Sequence, residues 1–132
     1  MKGELEEALP FAEFCKTISS ALNLSSGELR ATVPRKVQPE RLMIKNVGLC
    51  TGAGCDMAEL AAANGCDAFV TGDMKYHVAQ RFCEKGICVI DAGHYGTEKF
   101  FSENMARLLQ TRTDGKIEII VSKMDINPFL FF

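Results

Sequence analysis

Tryptophan is absent, and tyrosine and histidine occur only twice each. No basic run stands out and the net charge is −2 at pH 7, so there is no electrostatic case for nucleic acid or an anionic membrane surface. No stretch approaches the ~18 apolar residues of a spanning helix. The acidic lead, Met1-Lys2-Gly3-Glu4-Leu5-Glu6-Glu7, lacks the apolar centre of a signal peptide. Neither C-x-x-C nor a Cys/His zinc spacing occurs, which argues against a structural zinc site. A Walker loop is excluded because no G-K-[ST] follows the glycines, and G-x-G-x-x-G fails at Met57.

What is present describes one α/β domain over residues 1–132. Hydrophobic residues make up 47% of the chain, enough for a buried core. The six cysteines sit mostly in apolar runs such as Ile87-Cys88-Val89-Ile90, where free Cys behaves as a small hydrophobe. That usage points to free thiols in a reducing, cytoplasmic compartment.

Phe11, Phe14, Cys15, Ile18, Ala21 and Leu22 repeat at helical spacing behind Pro10, predicting a helix over 10–22. A short strand is expected in 29–33. From Arg41 onward, strands and helices alternate: a strand ending at Cys50, a helix from Asp56 to Asn64, and a strand over 67–71. A helix over 75–84 and a strand over 87–90 come next. The pattern ends with a helix over 97–110, with Phe100, Phe101, Met105, Leu108 and Leu109 as its core stripe, and a last strand over 116–121. Such alternation predicts βαβ units in a largely parallel or mixed sheet with flanking helices.

Ligands bind such sheets outside the carboxyl ends of the strands. Three distinctive loops fall there: Thr51-Gly52-Ala53-Gly54, Thr71-Gly72-Asp73 and Asp91-Ala92-Gly93-His94. His94 and Glu98 are four residues apart, on one face of any helix starting there, and an imidazole beside a carboxylate suits a divalent ion. Asp91 or Asp73 could add a ligand or orient one. The same residues also read as a first-turn carboxylate and an ordinary loop histidine. His77 reads as a general acid/base or as a helix-surface residue. Gly52 and Gly54 read as a phosphate-holding turn or a tight βα turn. Cys55 and Cys83 have no histidine nearby in sequence to activate them.

Four segments occur together in order: 47–54, 67–77, 91–98 and the closing Asn127-Pro128-Phe129. In combination they resemble the C-terminal half of the dinuclear-metal-centre family, also called Nif-three-like. Many of its members carry the name GTP cyclohydrolase I type 2 homologue. The resemblance implies an α/β fold, two divalent ions (zinc, manganese, iron or magnesium), ring-shaped homo-oligomers and a hydrolase-like reaction on a nucleotide-like substrate. Its ligands from this half fall on His94 and Glu98, with Thr71, Gly72, Asp73 and His77 near the pocket. The family's N-terminal half supplies a paired-histidine motif and an aspartate, and this chain has no His-His pair. The resemblance therefore implies either a C-terminal portion or a separate chain that carries the other half. The alternative is a catalytically incomplete binding or oligomer-assembly module. The apolar Pro128-Phe129-Leu130-Phe131-Phe132 favours a buried partner surface or docking within its own domain.

Overall fold

The computed structural model of the protein describes residues 1–131, so Phe132 lies outside the described residues. Two strands of four residues each form its centre. β4 (Ala68–Thr71) and β5 (Cys88–Asp91) are buried at every position. Their side chains alternate between two apolar layers. Ala68, Val70, Cys88 and Ile90 join Phe14 and Ile44 on one face, and Phe69 and Val89 join Ala58 and Phe82 on the other. Helix α1 (Phe11–Ala21) covers the first face, with Phe11, Cys15 and Ile18 packed against it. Helices α2 (Ala58–Ala63) and α3 (Tyr76–Lys85) cover the second.

Among the described residues the sheet holds five strands, β1 (Lys2–Pro10), β2 (Arg30–Thr32), β3 (Met43–Leu49), β4 and β5, in the order β1-β3-β4-β5-β2. β3 and β5 run parallel to β4. The edge strands β1 and β2 are antiparallel to their neighbours. The expected α/β class therefore holds in its mixed form. The acidic lead, for which no strand was expected, forms most of β1, whose register against β3 shifts between Glu4 and Leu9. The Ala-rich helix is shorter than expected, because 55–57 forms a 3-10 turn before it.

Two further expectations fail after residue 98. The helix over 97–110 is two helices, α4 (His94–Glu98) and α5 (Phe101–Arg112). No residue of α5 is buried, and Phe101 is 64% exposed, so its apolar stripe is not core among the described residues. The strand over 116–121 does not form: the segment has no regular secondary structure and no ladder partner among the described residues. All six cysteines carry free thiols. Burial pushes the Cys88 thiol up to about 12, with Cys15 and Cys83 nearby adding to it. Cys88 is thus expected to be the last cysteine alkylated by iodoacetamide at pH 8 in the native protein, read by peptide mass spectrometry. Early labelling there would mean that the core opens readily.

Candidate metal-binding site

The three loops at the carboxyl ends of β3, β4 and β5 are joined by backbone and hydroxyl hydrogen bonds. Gly72 N–H donates to Gly52 O at 2.8 Å, and Ala92 N–H to Thr71 O at 2.8 Å. The fully buried Thr71 hydroxyl donates to Gly52 O at 3.1 Å and accepts Gly54 N–H at 2.9 Å. Gly72 lies so close to the third loop that a Cβ there would stand 2.6 Å from both Gly93 C and His94 N. Gly54 is held as tightly, since its Cβ would lie 2.6 Å from Cys50 Cβ. Gly54 and Gly72 are therefore demanded by packing. No phosphate needs to be invoked for the turn.

On α4, one helical turn brings His94 Nε2 within 3.1 Å of Glu98 Oε2. The other ring nitrogen, Nδ1, lies 2.7 Å from Asp73 Oδ2. Asp73 reaches it from a left-handed backbone, φ 55°, a conformation that aspartate tolerates better than most residues. The carboxylates thus occupy opposite edges of the imidazole, and Asp73 is placed to orient the ring. All three side chains are about half exposed. The hydrogen bond to Asp73 raises the His94 pKa, with Glu98 adding to it and partial desolvation opposing. A metal ion would therefore compete with a proton held more tightly than on a free imidazole.

Gly52 closes this arrangement from the β3 side. Its backbone is left-handed, φ 63°, and a Cβ there would run into Glu98 Oε1 and stand 3.2 Å from His94 Nε2. The missing side chain leaves open the space that both donor atoms face. Among the described residues no group of three or more His, Cys, Asp or Glu is arranged to hold an ion. The donor set fits two ligands of a divalent ion and no more.

The other expected residues fall elsewhere. Asp91 is neither a ligand nor an orienter of His94: it is 1% exposed and spent on Arg30, Met74 N–H and Gly93 N–H. His77 is exposed on the first turn of α3, and no hydrogen bond joins it to His94 among the described residues. Concavities of about 410 and 350 Å3 also miss the pair: the first is lined by Asn23, Tyr95, Lys99 and Asp125, among others, and the second by residues around Thr32 and Tyr76.

Thr97 is the residue that sequence reasoning did not single out. It is 7% exposed, its hydroxyl accepts Gly52 N–H at 2.9 Å, and it approaches His94 O at 3.0 Å and Gly93 O at 3.1 Å. It pins the first loop to the helix that carries both candidate ligands. A buried small polar residue between the two, three and one positions away, was the only available signal. Thr97→Val is expected to lower divalent-ion affinity by about tenfold, while Thr97→Ser keeps it. Calorimetric titration with zinc distinguishes the two, and equal behaviour of Val and Ser would remove the hydroxyl from the account.

The family model for Duf34/NIF3 (NGG1p interacting factor 3) matches residues 1–128. The chain belongs to the Duf34/NIF3 family. Within it, the chain is 32% identical over 132 residues to the Bacillus subtilis protein named GTP cyclohydrolase 1 type 2 homolog, covering 98% of this chain and 33% of that one. Human NIF3-like protein 1 is 31% identical over 124 residues, covering 94% and 31%. The crystal structure of Staphylococcus aureus protein SA1388 superposes with a TM-score of 0.87 at 27% identity, covering 99% of this chain and 41% of that one. The chain thus spans between a third and a half of the length of its first curated relatives. No helix among the described residues is long and apolar enough to cross a membrane.

Proposed function

We propose that this Duf34/NIF3 chain supplies one half of a divalent-metal centre in a hydrolase-like protein, with His94 and Glu98 as ligands. The observation that carries this is the 3.1 Å approach of His94 Nε2 to Glu98 Oε2 beneath the space left by Gly52. In the working state Asp73 accepts the Nδ1–H, which fixes the tautomer and turns the Nε2 lone pair toward the ion. When bound, a divalent ion supplies Lewis acidity toward water and a polar group of the substrate. The names of the relatives suggest a purine nucleotide as that substrate. Since two protein ligands fall short of the three or four of an ordinary site, the remaining ligands belong to polypeptide outside this sequence.

A second reading, a binding or assembly module with incomplete chemistry, is favoured by the exposed apolar residues of α5 and the chain beyond it. Equilibrium dialysis against zinc or manganese, followed by elemental analysis, separates the two. Wild type should retain an ion that both His94→Ala and Glu98→Ala lose. Retention of none by wild type, or undiminished retention by both variants, rejects the metal reading.

A further inference from the structure

The sheet ends on β2, and the side of that strand turned away from β5 has no neighbour among the described residues. Period two fixes which of its backbone groups are open. Ala92 N–H donates to Thr71 O on β4, so Asp91 and Val89 turn their backbone groups the other way, toward β2. Their partners there are Arg30 and Thr32. Ala31 therefore turns its N–H and C=O outward, and Val33, held extended by the proline after it, does the same. Two open donor–acceptor pairs thus lie about 6.7 Å apart, the repeat of a strand. Beside them runs a groove of about 350 Å3 between β2 and α3. Its far wall is one face of α3, where Tyr76, Ala79 and Cys83 follow one another at helical spacing. Tyr76 is 79% exposed and Cys83 half-buried. Arg35 N–H closes one end by donating to Cys83 O at 3.1 Å. Arg35 is also the only charged residue lining the groove. Its side chain is 68% exposed, and the Glu84 carboxylate stands 3.8 Å away, beyond hydrogen-bond reach.

We infer that this edge takes up an extended segment of another protein, which adds as a further strand beside β2. Its alternate apolar side chains enter the groove, and an acidic side chain on the same face meets Arg35. Strand addition supplies partners for the Ala31 and Val33 backbone groups, while the groove and the guanidinium select the side chains. The pairing is short, because Pro34 has no N–H to extend it. Charge disfavours a second copy: two β2 edges paired antiparallel about Thr32 would bring Arg35 of each chain near Arg30 of the other. A small apolar ligand would fill the groove but leave both open backbone pairs to water. The surface uses neither His94 nor Glu98 and does not depend on metal binding.

The test is a titration of the full chain, in EDTA, followed by amide resonances. The probe is a blocked five-residue peptide in which two valines and a terminal glutamate alternate with threonines, compared with the same peptide carrying lysine for glutamate. The Ala31 and Val33 amides should shift, and their hydrogen exchange should slow by about tenfold at saturation. The glutamate peptide should bind about fivefold more tightly than the lysine peptide. Arg35→Glu should reverse that order. Ala31→Pro removes an outward N–H and leaves the pairing of Arg30 and Thr32 with β5, so it should abolish binding while amides of β4 and β5 stay protected. Absence of binding overturns the inference, as does binding that leaves the Ala31 and Val33 amides unmoved or an order of preference unchanged by Arg35→Glu. So does protection of both amides in the chain alone, where a dimeric mass would make the occupant a second copy and a monomeric mass the chain's own segment. Because EDTA removes divalent ions, loss of the metal reading leaves these outcomes unaltered.

Discussion

Asp91→Ala should destabilise the native state by about 3 kcal/mol in chemical denaturation, more than any other single polar replacement near the site. The carboxylate is 1% exposed at the end of β5 and does three things at once. It pairs with the Arg30 guanidinium from the edge strand β2, and accepts Met74 N–H at 3.1 Å and Gly93 N–H at 3.0 Å. The ion pair itself is the smaller part, since the Arg30 side chain is 65% exposed and solvent screens it. The larger part is the two donors left without an acceptor, the buried Met74 N–H and the part-buried Gly93 N–H, each costing about 1–3 kcal/mol. Arg30→Met should therefore cost only about 1 kcal/mol, because both amides keep their acceptor. A loss below 1 kcal/mol for Asp91→Ala would show that water readily replaces the carboxylate.

Gly52→Ala should have the opposite profile, mild for the fold and severe for the site. A left-handed backbone costs an alanine about 1–2 kcal/mol. The new methyl also meets a carboxylate oxygen of Glu98 at the end of a flexible side chain, which can swing away with little further cost to stability. Swinging away, however, removes Glu98 Oε2 from its 3.1 Å approach to His94 Nε2 and fills the space that an ion would take. Divalent-ion affinity should fall on the order of a hundredfold, measured by titration of wild type and variant under conditions where both remain folded. Unchanged affinity in Gly52→Ala would place any ion elsewhere.

The parts that could be read in advance are those whose signal is local. The β-branched and apolar runs of β3 and β5, the helical repeat of α1 and the i, i+4 spacing of His94 and Glu98 all lie within a few residues. β1 escaped because Glu4, Glu6 and Glu7 give it the look of a solvated leader, yet charged side chains are what an edge strand tolerates. The break between α4 and α5 has no Gly or Pro to announce it. The stripe Phe101-Met105-Leu108 is amphipathic as expected, but period alone cannot say whether a helix packs on its own domain or on a partner. The same holds for 116–121, where strand propensity exists without a strand to pair with. Asp91 was misjudged for a different reason. Its partner Arg30 is 61 residues away, and no spacing rule reveals that the carboxylate is already engaged.

The Thr97 hydroxyl offers a practical consequence. By holding the Gly52 amide, it couples a backbone N–H from the β3 loop to the turn of helix that carries both donor side chains. A change in how His94 and Glu98 are engaged is felt at that amide, which itself bears no side chain. The Gly52 N–H resonance is accordingly a built-in reporter of site occupancy, readable without a label on either ligand.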